Sequence, residues 1–290
     1  MRDPRRPNPE FRPIQNPSER TVTRVRHALK FRLLQVVRVH AVTPHLLRIT
    51  LGGHDLADFE SASFDDHVKV FFPPPGVERP TLPEMGPNGP VFPDSGQTPV
   101  AQPVAQPVAR DFTPRRFDRD AGELDLEFVL HHPGPASQWA AQARVGQWLG
   151  IGGPRGSFVV PTDFDWHLLI GDDTALPAVA RRLAELPAGA RVAVVLEVAD
   201  ASAQIAFDTR AEMHAVWCFR DDADGETLLE AVAALPLPAG DGYIWAAGEA
   251  LSMRAVRRHL TEERGVDKSR IRASAYWKRG ASAVHESLED

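Results

Sequence analysis

Residues 168–178 read LLIGDDTALPA, a stretch in which an apolar run stops at a glycine and passes two aspartates. The run suits a buried β-strand, and a helical pattern begins near Ala175. Asp172 and Asp173 can cap that helix, whereas Thr174 and the amides after it can contact a cofactor, and the pattern alone leaves both interpretations open. The stretch matches neither the G-x-G-x-x-G fingerprint nor a P-loop. It nevertheless marks the carboxyl end of a strand, where open α/β sheets bind their ligands.

The sequence around this stretch alternates strand and helix patterns. Five apolar runs occur after residue 163, namely WHLLIG, RVAVVLEVAD, HAVWCFR, GYIWAAG and RIRASAYW. Helical patterns lie between several of them, at residues 175–186, 228–235 and 251–264. This rhythm predicts a parallel sheet covered on both faces, in an NAD(P)H-binding-like α/β domain over residues 163–282.

Residues 29–162 show instead the alternation that is typical of antiparallel strands. KFRLLQVVRVHAVTPHLLRITLGG predicts two strands, HVKVFFP a third, and GELDLEFVLHH a strand with Leu124, Leu126, Phe128 and Leu130 on one face. GPASQWAAQA (134–143) predicts a short helix. We therefore predict a two-domain β + α/β fold, in which a small antiparallel β-barrel precedes the parallel-sheet domain. That architecture is typical of reductases that use a flavin and a nicotinamide.

Three segments are expected to lie outside this regular structure. Residues 1–28 are rich in arginine and proline without periodicity, so we expect a flexible tail there, and residues 283–290 form a second tail. Residues 73–109 are dense in proline and glycine. Because proline lacks an N–H group, this stretch predicts a long surface insertion in the barrel domain rather than a regular ladder.

Composition excludes several classes of function. The 290 residues are 43% hydrophobic and 25% charged, with a net charge of -6, which disfavours a nucleic-acid binder. A single cysteine, Cys218, excludes an intrachain disulfide framework and Cys-rich metal sites. His131 and His132 are adjacent, and HExxH is absent, so we expect no resident metal. No apolar run approaches the roughly 20 residues of a membrane span, and MRDPRRPNPEFRP lacks the apolar core of a secretory signal. We expect a cytoplasmic protein.

Three segments carry residues that suit a flavin. In ARDFTPRRF (109–117), an arginine can pair with phosphate, an aromatic can pack on the isoalloxazine and a threonine can reach the ring edge; a surface strand is the alternative. HHPGPASQWA (131–140) places small residues at the start of a helix. This helix start either binds an anion or is an ordinary capped helix end. AYWKRG (275–280) places aromatics and cations at a strand end, where they either face ligands or belong to the core and solvent.

Taken together, these segments resemble the siderophore-interacting protein family of FAD-binding ferric-siderophore reductases. The likeness spans residues 30–280 and includes, in family order, LLRITLGGHDLADF, HVKVFFP, RDFTPRRF, FVLHHPGPASQWA, GPRGSF, GDDTALPA, WAAGE and AYWKRG. The resemblance implies a ferredoxin-reductase-like fold with FAD between the domains. It implies electrons from NAD(P)H or, in some members, ferredoxin. The implied reaction reduces Fe(III) in a siderophore to Fe(II), which the ligand holds far more weakly.

The resemblance also implies a set of site residues. The flavin N5 carries hydride and electrons, so no protein residue is expected to act as a catalytic acid or base. A basic pocket is expected for the ferric siderophore, with Lys69, Arg254 and Lys278 as candidates. The residues implied to bind the cofactors are Arg110, Phe112, Thr113, Arg115, His131, Gly134, Pro135, Ala136, Ser137, Asp173, Thr174, Ala175 and Trp277.

Two departures from the family pattern leave alternatives open. Phe112 replaces the usual tyrosine, which keeps stacking but removes a hydroxyl, and His132 stands where glycine is common. The alternatives are an NAD(P)H-dependent flavin or ferredoxin-type reductase with another acceptor, and a non-enzymatic siderophore-binding module. Glu197 and Asp200 favour NADH because no basic pair follows LEVAD. The siderophore, the choice between NADH, NADPH and ferredoxin, and the oligomeric state stay open.

Overall fold

Two large sheets organise the computed structural model, which describes residues 20–93, 108–130, 134–280 and 286–288. One sheet has seven antiparallel strands, and the other has six strands, of which five are parallel. The antiparallel sheet precedes the parallel sheet along the chain. The predicted β + α/β fold class is thereby confirmed.

The first half of the chain contains eleven described strands and one helix. In chain order they are β1 (Thr23–Arg26), β2 (Phe31–Thr43), β3 (Leu46–Gly52), β4 (Val68–Phe71), β5 (Glu84–Gly86), β6 (Gly89–Val91), β7 (Ala109–Phe112), β8 (Arg116–Asp118), β9 (Glu123–Val129), α1 (Pro135–Ala141), β10 (Trp148–Gly152) and β11 (Gly156–Val159). The seven-stranded sheet has the order β7-β4-β10-β2-β3-β9-β8. Its two edge strands are separated by only residues 113–115, so the sheet must curl until its edges meet.

The predicted alternation in the barrel strands is confirmed by burial. Leu124, Leu126 and Phe128 of β9 are buried in a core that also includes Trp139 and Ala140 of α1. The other face of β9 is buried as well, although Asp125 and Glu127 lie on it. Barrel side chains cover this second face: Asp125 accepts hydrogen bonds from Thr50 and Arg116, and Glu127 accepts from Arg48.

The second half alternates strands with helices as predicted. In chain order its elements are β12 (Trp166–Asp172), α2 (Leu176–Glu185), β13 (Arg191–Val198), β14 (Glu212–Phe219), α3 (Leu228–Ala234), β15 (Gly242–Glu249), α4 (Ala250–Arg258), a π-helical turn (His259–Glu263), β16 (Ile271–Trp277) and β17 (Glu286–Ser287). Single 3-10 turns occur at His54–Leu56, Ala201–Ala203 and Lys268–Arg270. A capping box formed by Thr227 and Glu230 begins α3.

The parallel sheet is covered differently on its two faces. One face packs against α2 and the barrel, because Leu176 and Val179 share a core with Leu46 and Phe64. The opposite face packs against α3 and α4. The strand order is β14-β13-β12-β15-β16-β17, with β17 antiparallel to β16. The order therefore reverses between β12 and β15.

Three expectations about irregular segments are wrong in part. Within the expected tail 1–28, β1 pairs with β11, and Arg20 forms an ion pair with Asp165 at 2.9 Å. The β-branched residues of TVTRV provided this strand signal, which the arginine and proline content obscured. The first 19 residues lie outside the described part of the chain.

The expected insertion 73–109 and tail 283–290 also contain strands. β5 and β6 form a hairpin around Pro87 and Asn88, and a two-stranded ribbon tolerates Pro90 because it leaves alternate N–H groups unpaired. Residues 94–107 are not described. In the C-terminal segment, β17 covers the edge of β16, and the Leu288 N–H donates to the Ala273 carbonyl at 2.9 Å. An exposed strand edge offers such hydrogen bonds, which composition does not reveal.

Polar contacts of the loop between β3 and β4 fix the barrel against the parallel sheet. The buried Asp65 accepts hydrogen bonds from the Trp245 indole at 2.9 Å and from Arg272 Nε at 2.5 Å. Arg181 of α2 donates to the Ser61 carbonyl at 3.0 Å and to the Pro114 carbonyl at 2.9 Å. These contacts set the relative position of the two sheets.

The substitution Asp65→Ala should lower the free energy of unfolding by about 3 kcal/mol, because it leaves the partly buried Arg272 without its carboxylate. Urea unfolding followed by circular dichroism measures the loss. Glu185→Ala is the control, since it removes a helical ion pair with Arg181 that is worth about 0.5 kcal/mol. Equal effects of the two substitutions would contradict the role assigned to Asp65.

Candidate functional site

A crevice is expected where the strand order of a parallel sheet reverses, and here that point lies between β12 and β15. The GDDTALPA stretch leaves β12 at this point. Asp172 ends the strand, and Ala175 is the buried N-cap residue of α2. Gly171 has no room for a side chain, because a Cβ atom would lie 2.4 Å from the Ala175 Cβ and 2.7 Å from the Ala247 carbonyl. The glycine thus permits the strand-to-helix turn to pack against β15.

Asp172 is a buried acceptor at this turn. Its Oδ1 accepts the Thr174 N–H at 2.9 Å and the Thr174 hydroxyl at 2.5 Å, while its Oδ2 accepts the Glu249 N–H at 2.9 Å and the Trp277 indole at 2.8 Å. Burial, together with the charge of Asp173, raises the pKa of Asp172 to about 6. Asp172 therefore closes the strand-to-helix turn through Thr174, whereas its predicted role as a cap of α2 is wrong, because the N-cap residue is Ala175 and no side chain caps that helix.

Asp173 points to a different partner. It forms an ion pair with Arg220, which follows β14, and the same guanidinium lies 3.6 Å from the Glu197 carboxylate at the end of β13. Burial acts to lower the pKa of Arg220, but the two carboxylates outweigh it and raise the pKa. The carboxyl ends of β12, β13 and β14 are therefore joined by one charged network.

The barrel reaches this crevice through Thr113. Thr113 is buried and forms a side-chain hydrogen bond with Tyr276 of β16. Burial raises the pKa of Tyr276 well above its usual range, so the phenol stays neutral. The next residue, Trp277, reaches Asp172. The structure thus brings RDFT, GDDT and AYW together, as the order of these motifs predicted.

Arg110 and Phe112 lie beside Thr113 on β7. The Phe112 ring packs against Phe128 at 4.4 Å between centroids and stays half-buried. The Arg110 guanidinium donates to the Ala109 carbonyl at 2.8 Å. The Phe112 ring also contacts Phe72 at 6.3 Å between centroids, and a backbone acceptor at the start of β7 holds the Arg110 side chain.

Arg115 belongs to a buried charge cluster that sequence reasoning missed in part. Glu127 accepts from Arg48 Nε at 2.9 Å and lies 4.0 Å from Arg115 Nε. Burial lowers the pKa of Arg115, and Glu127 opposes that effect. Arg48 and Glu127 face each other across β3 and β9, which becomes visible only once the strand register is known. The cluster holds Arg115 beside the loop that follows Phe112.

These donors fit a flavin cofactor. Within the described part of the chain, Arg115 Nε is buried without a hydrogen-bond partner, which is costly unless an acceptor approaches. FAD carries acceptors of the required kind on its diphosphate and on its ring. Arg110, Arg115 and Thr113 are therefore the residues that would hold it on the barrel side.

The predicted diphosphate segment is described only in part. Gly134 is the extended N-cap residue of α1. A Cβ atom at this position would meet no other atom within 4 Å, so the space beside the glycine is open. Pro135, Ala136 and Ser137 form the first turn, where the Ser137 hydroxyl donates to the Gly134 carbonyl at 3.0 Å. His131 and His132 lie outside the described residues, so their predicted roles stay predictions.

The three cations predicted to bind substrate lie on separate elements. Lys69 of β4 forms an ion pair with Asp111 at 2.7 Å. Arg254 is exposed on α4, and Lys278 is exposed directly after β16. Only Lys278 follows immediately on a residue of the crevice, Trp277. Glu249, whose side chain caps α4, also accepts the Arg279 N–H at 3.2 Å and so fixes this segment.

The fold is the two-domain fold of the ferredoxin-reductase type. A ferredoxin reductase from carbazole 1,9a-dioxygenase shares the fold, with a TM-score of 0.59 at 20% identity over 86% of this chain and 70% of its own. Among the described residues, no helix combines the length and apolarity needed to cross a membrane.

Comparison with known families narrows the class. The siderophore-interacting FAD-binding domain model matches residues 35–158, and the siderophore-interacting protein model matches residues 164–280. The NADPH-dependent ferric-chelate reductase of Escherichia coli is 36% identical, over 90% of this chain and 98% of its own. The ferric vibriobactin reductase ViuB of Vibrio cholerae is 35% identical, over 88% and 93%. A siderophore utilization protein from T. fusca has a TM-score of 0.79 at 38% identity, over 91% and 98%. The chain belongs to the siderophore-interacting protein family.

The substitution Arg110→Ala should remove FAD from the purified protein without unfolding it, because the charge-assisted contact to the cofactor is lost. Flavin absorbance per protein measures occupancy, and circular dichroism checks the fold. Arg210→Ala, at an exposed position before β14, should keep full occupancy. Full FAD occupancy in Arg110→Ala would contradict a role in binding FAD and would mean that Arg110 is only a surface residue of its strand.

Proposed function

We propose that this protein is an FAD-dependent reductase that takes electrons from NAD(P)H and reduces Fe(III) in ferric siderophores to Fe(II). The observation that carries the proposal is the contact between Thr113 of the barrel and Tyr276 of the parallel-sheet domain, next to Trp277, whose indole donates to Asp172. The names of the Escherichia coli and Vibrio cholerae relatives support both the electron donor and the iron substrate.

The division of labour follows from the residues present. Bound FAD supplies the exchange between a two-electron donor and one-electron reduction of iron. Arg110 and Arg115 supply positive charge for the anionic cofactor, and Thr113 supplies a hydroxyl at the edge of the crevice. Phe112 provides an aromatic surface backed by Phe128, and its stacking role does not need the phenolic hydroxyl that the family usually has there. No protein group needs to move a proton at the iron.

The ferric siderophore is proposed to bind at the exposed mouth of the crevice. Many ferric chelates carry negative charge, which a net charge of -6 would repel at long range. Local cations are therefore required, and Lys278 is placed best because it adjoins Trp277. Lys69 and Arg254 remain candidates on the barrel and on α4. A ferredoxin donor and a cytoplasmic location are retained only as predictions of the sequence.

The test is turnover of the FAD-loaded protein with NAD(P)H and a panel of ferric siderophores, with Fe(II) trapped by a coloured chelator. Reduction of at least one ferric siderophore faster than free flavin or cytochrome is expected. The Lys278→Ala variant should raise KM for an anionic ferric chelate and leave kcat nearly unchanged, since it removes binding charge only. Rapid reduction of free flavin with no ferric siderophore reduced would favour the reductase with another acceptor. A protein that binds no FAD would favour the siderophore-binding module.

We propose NADH as the preferred donor from the charges of this chain, although the Escherichia coli relative is named NADPH-dependent. Residues 197–200 and 219–226, at the carboxyl ends of β13 and β14, carry six carboxylates and one arginine, at Glu197, Asp200, Asp221, Asp222, Asp224, Glu226 and Arg220. That arginine is already engaged by Asp173 and Glu197. Hydrogen bonds from Ser202 lower the pKa of Asp200, which therefore stays charged. Carboxylates after the second strand of such a sheet accept ribose hydroxyls and repel a 2′-phosphate.

Wild-type protein should bind ADP-ribose at least about tenfold more tightly than its 2′-phosphate, as measured by titration calorimetry. Glu197→Gln should narrow this ratio by about an order of magnitude, because it removes one repulsive charge and loosens the hold on Arg220. Glu212→Gln, exposed at the opposite end of β14, should keep the wild-type ratio. Tighter binding of the 2′-phosphate by the wild type would contradict the preference for NADH.

A further inference from the structure

The carboxylate of Asp172 joins the ends of three adjacent strands of the parallel sheet. The groups around it belong to the turn after β12, to the end of β15 and to the end of β16. All of them are hydrogen-bond donors: two N–H groups of the main chain, the hydroxyl of Thr174 and the indole of Trp277. An asparagine would turn its own NH2 group toward two of these donors, so the arrangement requires a carboxylate.

Gly248 shows that the backbone is shaped for this carboxylate. Its φ angle of +157° is one that side chains disfavour, and a Cβ atom there would lie 2.6 Å from Asp172 Oδ2. The sheet register also shifts between Gly248 and Glu249, which lets the Glu249 N–H turn toward the carboxylate. The regular pairing of β15 with β16 is therefore interrupted at the position where β15 contacts Asp172.

The surroundings of Asp172 make its charge costly. Asp172 is 3% exposed, and the adjacent Asp173 and the nearby Glu249 are buried acids as well. Arg220 is the cation that this network reaches, and it forms ion pairs with Asp173 and Glu197. From β16, the neutral phenol of Tyr276 and the indole of Trp277 face the same region. A buried carboxylate stabilised mainly by neutral donors is sensitive to proton binding.

We propose that Asp172 is a positioning residue whose ionised carboxylate holds the Trp277 indole at the crevice, and whose protonation releases that indole. Protonation at Oδ2 turns that oxygen into a hydroxyl, whose O–H then faces the N–H groups of Glu249 and Trp277, neither of which can accept a hydrogen bond. The Trp277 contact breaks first, because the two contacts to Thr174 lie within the same turn and the Glu249 N–H is fixed in the main chain. The role of Trp277 beside the flavin rests on the proposed function; its release by protonation does not.

The pH range of this change follows from the raised pKa. Asp172 titrates near 6 in the folded protein, whereas an unfolded aspartate titrates near 3.8. Between these values the folded state binds a proton that the unfolded state lacks. The cost of the buried charge is therefore complete above about pH 6 and is relieved as the pH falls. The indole should accordingly be held at neutral pH and released in mildly acidic solution.

The experiment follows the indole N–H resonance of Trp277 in protein labelled with 15N-tryptophan. The chain has six tryptophans, and the resonance missing from Trp277→Phe assigns the relevant one. In the wild type it should titrate with a midpoint near pH 6, the value given by the buried carboxylate. Asp172→Asn should abolish that titration. Asp208→Asn, at an exposed position before β14, should leave it unchanged.

The flavin provides a second and separate readout. In FAD-loaded wild type, flavin fluorescence should rise as the pH falls through the same midpoint, because a stacked indole quenches flavin emission; Trp277→Phe should show no such rise. A Trp277 resonance that is flat from about pH 5 to about pH 8, or one that titrates equally in Asp172→Asn, would overturn the proposal. If Asp172→Asn does not fold, the Trp277 resonance of the wild type still tests the proposal: titration near pH 6 supports it, and a flat resonance overturns it. Protein that binds no FAD but shows the titration supports the role of Asp172 and counts only against the proposed function.

Discussion

The packing of the barrel against one face of the parallel sheet is the constraint on which the rest of this structure depends. Asp65 receives hydrogen bonds from the middle of β15 and from β16, while Arg181 of α2 reaches the barrel at Ser61 and Pro114. These contacts involve side chains on both sides of one shared apolar core. They bring the end of β7 to the carboxyl ends of the parallel strands. Thr113 and Tyr276 belong to different domains, and these contacts are what bring the two residues into one site.

Charge is distributed in a way that separates the two sides of the crevice. The barrel side presents Arg110 and Arg115. Arg115 lies beside Glu127 in the buried charge cluster. The ends of β12, β13 and β14 are acidic, and Arg220 forms ion pairs with two of their carboxylates. An anionic flavin diphosphate therefore fits the barrel side, and the hydroxyls of a nicotinamide dinucleotide fit the acidic side. On the proposed function, this asymmetry would keep the two phosphate-containing cofactors of a protein of net charge -6 in distinct places.

Much of the fold could be predicted from periodicity, because both sheets bury regular apolar patterns. The runs in β12, β13 and β15 and the alternation in β9 indicated their environments directly. The strand β1 and the hairpin of β5 and β6 could not be predicted, since pairing partners far along the chain outweighed the local proline and arginine content. The site was predictable as an ordered set of motifs. Its polar contacts were not: the pairing of Arg48 with Glu127 and the convergence on Asp172 depend on strand register, and the covering of β16 by β17 depends on a free edge.

The most direct test of the central claim is anaerobic reoxidation of the reduced enzyme. FAD-loaded protein is first reduced with one equivalent of NADH, and a ferric siderophore is then added while flavin absorbance and trapped Fe(II) are recorded together. Because FAD holds two electrons, the account predicts that flavin absorbance returns as two Fe(II) ions form for each FAD. Flavin that is reduced by NADH but is not reoxidised by any ferric siderophore would contradict the account.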